Sequence, residues 1–226
     1  MKIRCRFSYY DPSFSLNEIY DFGVSIAKEI DHNINGGLAC EYADVGLLAQ
    51  ASCRNGHHLE FGTLFGATAI AVAMTKKKFG IFGDVYTVDN GQYQDKLVRQ
   101  QNIPFPENML LDNFRMFGIE ERVHTIKANT NPLPDPVNRM QFASAFIDAG
   151  HDFENCYSDF ENAKERTNII VFHDYDDSHP GVVQAVEMAT RDPKWWLVHI
   201  SRHSAIMELK KEDFGVKKWR KIMSGQ

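Results

Sequence analysis

The spacing of hydrophobic positions divides the chain into two parts. Over the first 55 residues, apolar side chains recur every three or four positions, which is typical of amphipathic helices. Ser15 followed by Glu18 has the pattern of a capping box and predicts the start of the first helix. The segment 33–37, with Gly36 and Gly37, predicts its end, and a second helix is expected over 41–52.

From residue 57 onward, short apolar runs alternate with helical stretches. Helices are expected over 64–78, 108–117, 153–166 and 180–191. The predicted strands cover 57–62, 84–89, 122–128, 142–148, 167–174, 196–201 and 205–209. The last two are close enough to form an antiparallel hairpin. Such alternation predicts an α/β sandwich with a mostly parallel sheet, whose ligands bind beyond the carboxyl ends of the strands.

Composition and charge narrow the class of protein. The 226 residues include 25 Lys and Arg against 30 Asp and Glu, a formal net charge of −5. This length fits one large domain or one domain with an appendage. The acidic balance argues against a nucleic-acid partner, which calls for a basic face. No signal-peptide core and no apolar stretch of roughly 20 residues is present, so we expect a cytoplasmic protein without a membrane partner.

The four cysteines are widely spaced along the chain and form no CxxC pair. This spacing is not that of a zinc framework or of a small secreted domain. Free thiols in a reducing compartment are therefore expected.

The ends of the first two strands of the alternating region carry residues suited to a ribose-bearing ligand. The first strand ends in EFGTLFG, in which Gly62 lets a ligand approach the main chain and Gly66 allows close packing. Glu60 lies inside this buried strand and needs a partner, so a tight turn with a paired Glu is the structural alternative. The second strand ends in Asp89, which can accept hydrogen bonds from two ribose hydroxyls. The phosphate-cradling pattern G-x-G-x-x-G is absent, which favours a ligand without a diphosphate.

The fourth and fifth strands end in Asp148 and Asp174, which are expected on the same rim of the sheet. Two close carboxylates share a proton or hold a cation, and their hard oxygens suit Mg²⁺ or Ca²⁺. His151 and His173 stand beside them, and a histidine near neutral pKa can take a proton from a hydroxyl. Strand alternation would point His173 and Asp174 to opposite faces. We therefore favour His151 as the base and His173 as a structural residue, with helix capping or a carbonyl hydrogen bond as the alternative for either.

Four segments in this order resemble class I S-adenosylmethionine (SAM)-dependent methyltransferases. HHLEFGTLFGATAIAVA and VYTVDN are similar to the first two motifs of these enzymes. AFIDAGHDFENCYSDF and IIVFHDYDDSHPGVVQAV resemble the later strand-end motifs of methyltransferase family 24, a branch of small O-methyltransferase-like proteins. The resemblance covers residues 57 to about 202. It implies a Rossmann-like sandwich with a mostly parallel seven-stranded sheet, preceded by an N-terminal helical extension.

The resemblance also implies a cofactor and its contacts. SAM would bind at Glu60, Gly62, Thr63, Gly66, Asp89, Asn129 and Asp148. In this family, the position of Asp89 binds the ribose hydroxyls and that of Asn129 contacts the adenine. Many methyltransferases have a third glycine where this chain has Leu64.

Related catechol-type and macrolide-sugar enzymes hold a divalent metal at the positions of Asp148 and Asp174. The metal orients the substrate hydroxyls and lowers their pKa. The Asn that follows the second Asp in catechol-type enzymes is Tyr175 here, so a site with Mg²⁺ or another divalent metal and a metal-free site both stay open. The catalytic candidates are His151 and Asp148.

The expected function is methyl transfer from SAM to a hydroxyl oxygen of a small-molecule acceptor, such as a sugar, a natural product or a phenol. The alternatives are a metal-dependent, hydroxylase-like enzyme on the same scaffold and a non-catalytic SAM-binding protein. This branch often forms dimers, so a homodimer is one expected assembly.

The motif positions divide the chain into an N-terminal helical extension or cap, residues 1–56, and a methyltransferase domain, residues 57–226. We expect the cap to cover the cofactor cleft. Tyr9, Tyr10 and Phe14 are either lining residues of this cap or ordinary packing aromatics, and packing is the favoured role.

Overall fold

The computed structural model describes residues 14–101 and 108–210. Its helices are α1 (Leu16–Asn33), α2 (Tyr42–Ser52), α3 (Ala67–Lys78), α4 (Gln92–Gln101), α5 (Met109–Met116), α6 (Phe153–Lys164) and α7 (Pro180–Ala189). Its strands are β1 (His58–Phe61), β2 (Val85–Asp89), β3 (Val123–Lys127), β4 (Ser144–Ile147), β5 (Ile169–Phe172), β6 (Trp195–Ile200) and β7 (Ala205–Leu209). Every helix and strand expected from the sequence is present, whereas α4 was not expected.

The first helix begins where the sequence predicts. The Ser15 hydroxyl accepts a hydrogen bond from the Glu18 backbone N–H at 3.1 Å, and the Ser15 N–H donates to the Glu18 carboxylate at 2.9 Å. Two otherwise unpaired backbone donors are satisfied in this way. The helix ends at Asn33, and Gly36 and Gly37 then take positive φ values of 101° and 73°.

The strands form one seven-stranded sheet in the order β3-β2-β1-β4-β5-β7-β6. The first five strands are parallel, whereas β7 runs antiparallel to both β5 and β6. The predicted C-terminal hairpin and the predicted fold class are therefore confirmed. The strand order changes direction at β1, since β2 and β3 are added on one side of it and β4 and β5 on the other. This switch point opens a crevice at the carboxyl ends of the strands.

Helices cover both faces of the sheet. On one face, α1, α2, α3 and α5 bury their apolar side chains in a core that includes residues of β4 and β5. On the other face, α6 and α7 pack on β1, β4, β5 and β7. None of the helices in these ranges is long and apolar enough to cross a membrane.

The described part of the N-terminal extension forms part of this sandwich. Helices α1 and α2 pack on each other and on α3, and Leu48 of α2 shares a core cluster with Val72 and Val171. The segment between α1 and α2 reaches the cleft through Gly37 and Cys40. The helices therefore cover one face of the sheet, and their connecting segment contributes to the cleft.

The aromatic candidates of the cap divide into two groups. Phe14 packs edge-on against Phe79, with 5.1 Å between ring centroids, next to the C-terminal end of α3. That end of α3 lies away from the carboxyl ends of the strands, so Phe14 is a packing residue. Tyr9 and Tyr10 lie outside the described residues.

Candidate active site

A cleft of about 860 Å³ opens at the carboxyl ends of the parallel strands. It is lined by seven of the predicted site residues, namely Gly62, Thr63, Asp89, Asn129, Asp148, His151 and Asp174. Glu60 and Gly66 are not among its lining residues. The two groups that the sequence suggested separately, cofactor contacts and acid–base residues, thus share one cavity.

The turn between β1 and α3 depends on backbone conformations that favour glycine. Gly62 has a φ of +94°, and a Cβ there would lie 2.2 Å from the Asp148 carbonyl oxygen. Leu64, at the position where many methyltransferases have glycine, also takes a positive φ of 43°. Gly66 has a φ of +81°, and a Cβ there would lie 2.6 Å from the Phe114 ring. Gly66 therefore allows α5 to pack closely, while Gly62 lets the ends of β1 and β4 meet.

The Asp89 carboxylate connects the end of β2 to this turn. Its Oδ2 accepts hydrogen bonds from the N–H groups of Thr63 at 2.7 Å and Leu64 at 3.2 Å. Its Oδ1 accepts from the Gly91 N–H at 2.7 Å. A carboxylate offers about four lone-pair sites, so Oδ1 can accept one further hydrogen bond from a ligand. Asp89 both shapes the turn and faces the cleft.

Glu60 lies beneath the cleft, with 0% of its surface exposed. The Thr87 hydroxyl donates to Glu60 Oε1 at 3.0 Å. Burial raises the pKa of the Glu60 carboxyl to about 8, because a charged group is poorly solvated there. Glu60 is therefore a protonated, hydrogen-bonded acid at neutral pH. This agrees with the alternative interpretation from the sequence, in which Glu60 is a buried, paired residue beside a tight turn. Direct contact between Glu60 and the cofactor stays a prediction.

A cluster of two carboxylates and two imidazoles forms the other wall of the cleft. His151 Nε2 lies 3.1 Å from Asp174 Oδ2 and 3.6 Å from Asp148 Oδ1. His173 Nδ1 lies 3.3 Å from Asp148 Oδ1 and 3.2 Å from Asp174 Oδ1. Each carboxylate therefore faces both imidazoles.

The expectation that His173 and Asp174 point to opposite faces is wrong. Strand β5 ends at Phe172, before either residue, so strand alternation does not apply to them. Asp174 takes a φ of +55°, which turns its side chain back towards His173. Both side chains consequently line the cleft.

Contacts between the carboxylates and the imidazoles shift the pKa values in this cluster. Burial alone would raise the pKa of Asp148, but the His173 charge and the hydrogen bond with His151 hold it at about 2. Burial would likewise lower the pKa of His173, whereas the Asp148 charge raises it well above its usual range. The hydrogen bond to Asp148 raises the pKa of His151.

The residues at this wall do not fit an all-oxygen Mg²⁺ site. Magnesium requires a near-octahedral set of oxygen ligands. Asp148 and Asp174 supply oxygens, but His151 and His173 lie against both carboxylates. Tyr175, in the position of the third ligand of catechol-type enzymes, is not among the cleft residues and packs against the core. Metal binding at Asp148 and Asp174 stays a prediction.

Some cleft residues were not predicted from the sequence. Cys40 enters from the segment between α1 and α2, and Tyr93 and Lys96 enter from α4. An isolated cysteine has no spacing signal. Helix α4 is mostly polar, and its few apolar residues form no run long enough to reveal it.

Comparisons with known proteins identify the family. The family model described as a methyltransferase domain matches residues 59–175, which is more than half of the chain. No curated protein sequence matches the chain.

Solved structures show the same fold. An O-methyltransferase from Bacillus cereus in complex with S-adenosylhomocysteine (SAH) is 15% identical, with a TM-score of 0.55 over 85% of this chain and 91% of that chain. A SAH-bound methyltransferase from Podospora anserina, PaMTH1, is 13% identical, with a TM-score of 0.57 over 84% and 88% of the two chains. Together with the family model, this fold confirms the prediction from the strand-end motifs: the chain belongs to methyltransferase family 24, within the class I SAM-dependent methyltransferases.

Proposed function

We propose that the chain transfers the methyl group of SAM to a hydroxyl oxygen of a small-molecule acceptor. The observation that carries this proposal is the sharing of one cleft by two sets of residues. The β1–α3 turn, Asp89 and Asn129 line it together with the acid–base cluster around Asp148. A methyl donor and a deprotonating group would therefore meet in the same cavity. The SAH in the Bacillus cereus O-methyltransferase supports the choice of cofactor.

The cofactor side of the cleft offers backbone and carboxylate groups. The main chain at Gly62 and Thr63, which line the cleft, would face the methionine part of SAM. Asp89 Oδ1 would accept a hydrogen bond from the ribose. Asn129, which accepts a 3.0 Å hydrogen bond from the Asn90 amide, would contact the adenine.

The reaction is an in-line displacement at the sulfonium methyl carbon. The acceptor oxygen forms the new bond to carbon, the sulfur–carbon bond breaks, and its electron pair stays on the neutral sulfur of SAH. His151 Nε2 is held by Asp174, so its Nδ1 is the nitrogen that would take the hydroxyl proton. The adjacent carboxylates stabilise the imidazolium that results. Alignment of the two substrates contributes on the order of 7 kcal/mol or more in favourable cases.

Calorimetry with SAM and SAH tests the cofactor. We expect binding at submillimolar concentration to the full chain and a large loss of affinity in Asp89→Ala. Asp112→Ala removes an exposed carboxylate on α5 and serves as the matched control, with unchanged binding expected. No binding of either ligand by the native chain would overturn the proposal.

Turnover separates the proposal from its alternatives. With an acceptor found by screening sugars, phenols and other hydroxyl compounds, His151→Ala should lower kcat by about 10²- to 10⁴-fold, the usual contribution of a general base. A near-native kcat in this variant would show that His151 is not the base. Iron binding with oxygen consumption and no methylation would favour the hydroxylase-like alternative. The cytoplasmic location and the homodimer stay predictions.

A further inference from the structure

We infer that the cleft binds a divalent transition metal of the Zn²⁺ type through Cys40, Asp148 and His173. The role of the ion in catalysis rests on the proposed function, whereas its binding can be measured separately. The inference replaces the all-oxygen magnesium site expected from related enzymes with a site built from sulfur, oxygen and nitrogen.

The three side chains come together from distant parts of the chain. Cys40 lies between α1 and α2, Asp148 follows β4, and His173 follows β5. The Cys40 sulfur, a carboxylate oxygen of Asp148 and a ring nitrogen of His173 all lie within 4.8 Å of one another. Ligand atoms around tetrahedral Zn²⁺ are roughly 3.3–3.8 Å apart, given its bond lengths of about 2.0–2.3 Å. A contraction of about 1 Å would complete the site.

His173 provides an independent indication of a missing ligand. Its surface is 6% exposed, and it lines the cleft. Nδ1 is paired with the carboxylates of Asp148 and Asp174, whereas Nε2 makes no hydrogen bond with the described residues. A buried ring nitrogen without a hydrogen-bond partner is unfavourable, because burial removes its bonds with water. A metal bond to a ring nitrogen would compensate for that loss.

The chemistry of the donors selects the ion. Thiolate and imidazole favour Zn²⁺ and similar transition metals, whereas Mg²⁺ favours carboxylate, carbonyl and water oxygens. Three protein ligands leave a fourth position open towards the cleft, as in catalytic zinc sites. An ion there would supply Lewis acidity that lowers the pKa of an acceptor hydroxyl.

A second group of potential ligands lies nearby and provides the alternative. His151, Asp174 and His179 also have ligand atoms within 4.8 Å of one another. His179 Nδ1, however, makes hydrogen bonds with Asp176 Oδ1 at 3.2 Å and the Ser178 hydroxyl at 3.1 Å, whereas His173 Nε2 makes none with the described residues. His151 is also more exposed than His173. The structure therefore favours the first group.

Metal binding to the full chain is the decisive measurement. After chelator treatment and dialysis, Zn²⁺ is titrated against a chromophoric chelator, and bound metal is counted by elemental analysis. We expect one equivalent of Zn²⁺ and at least 100-fold weaker binding of Mg²⁺. With Co²⁺ as the probe, a thiolate-to-cobalt charge-transfer band should appear in the near ultraviolet.

Four variants test the assignment of the ligands. Cys40→Ser should remove the charge-transfer band and weaken Zn²⁺ binding at least 10-fold, while Cys156→Ala, at a buried thiol of α6, should change neither. His179→Gln should leave Zn²⁺ affinity unchanged. Circular dichroism establishes that each variant is folded. His173→Gln should also weaken Zn²⁺ binding at least 10-fold, and if this variant does not fold, Cys40→Ser still provides the test.

Several results would overturn the inference. These are equal affinity for Mg²⁺ and Zn²⁺, no Zn²⁺ binding, or full affinity and an unchanged band in Cys40→Ser. Loss of affinity in His179→Gln but not in Cys40→Ser would assign the ion to the other group. SAH calorimetry on the same samples separates the two proposals. If the protein binds SAH but not Zn²⁺, only the metal site is refuted. If it binds Zn²⁺ but not SAH, the proposed function is refuted.

Discussion

The absence of a side chain at Gly62 allows β1 and β4 to meet at the floor of the cleft. Gly62→Ala would place a methyl group 2.2 Å from the Asp148 carbonyl oxygen at a φ of +94°. We expect a loss of unfolding free energy of about 3 kcal/mol or more, because backbone strain and a steric clash add together. Denaturant unfolding followed by circular dichroism measures it.

Gly80→Ala is the matched control for this substitution. Gly80 also has a positive φ, of 64°, but nothing lies within 4 Å of a Cβ built there. Gly80→Ala should lower the unfolding free energy by about 1 kcal/mol, the cost of the conformational strain alone. Equal losses in the two variants would show that the contact with Asp148 is unimportant.

The buried Glu60 carboxyl predicts a pH dependence of stability. Its pKa is about 8 in the folded protein and near 4.5 in the unfolded chain. Between these values the unfolded chain loses the proton and the folded protein keeps it, so stability falls as pH rises through this window and is then level. The total loss is on the order of 5 kcal/mol.

Glu60→Gln should flatten this slope, because Gln cannot ionise but can still accept the Thr87 hydrogen bond. Urea unfolding at pH values from 5 to 8.5 measures the difference from the native chain. Glu154→Gln, at an exposed position of α6, should keep the native slope. Parallel slopes in Glu60→Gln and the native chain would contradict the prediction.

At the scale of residues, the sequence predicts well which side chains face the cleft, but it predicts their mutual arrangement less well. Asp89, Asp148 and Asp174 were predicted from strand ends, because strand positions follow from apolar runs. The contact between His173 and Asp174 was not predicted, because it depends on where β5 ends and on the positive φ of Asp174.

At the scale of elements, the Ser15–Glu18 capping box defines the start of α1. Ser15→Ala removes the acceptor for the Glu18 N–H and should lower the unfolding free energy by about 1 kcal/mol. Thermal unfolding would detect the change. Ser25→Ala, at an exposed position within α1, should be neutral or slightly stabilising, since alanine has the higher helix propensity. An equally large loss of unfolding free energy in Ser25→Ala would show that the capping box is not the cause.

The elements most easily predicted are those with a strong apolar pattern or a recognisable cap. Strand β5, with the sequence IIVF, and helix α1 are examples. Helix α4, with the sequence QYQDKLVRQQ, was missed because it has few apolar residues. Its position depends on the turn after Asp89, where Gly91 takes a φ of +79°.

At the scale of the whole molecule, the N-terminal helices and the sheet share a core. Leu48→Ala in α2 should therefore destabilise the entire chain by about 2–5 kcal/mol. Tryptophan fluorescence reports residues 195, 196 and 219 of the C-terminal part, while circular dichroism reports all helices. Both signals should shift equally in one transition. Leu47→Ala, at a less buried position, should shift both signals less. Two transitions, with fluorescence unaffected by Leu48→Ala, would show that residues 1–56 unfold as a separate unit.

The pairing of β1 with β4 has a consequence for the time at which the cleft can form. His58 of β1 is aligned with Ser144 of β4, and their side chains form a hydrogen bond across a sequence separation of 86 residues. Joining them requires closure of a long loop, and contacts so distant in sequence slow folding. During synthesis, the β1–α3 turn leaves the ribosome well before its partner at Asp148. The cofactor-binding half of the cleft is therefore synthesised first, but it can bind a ligand only after the catalytic half has been synthesised and has paired with it.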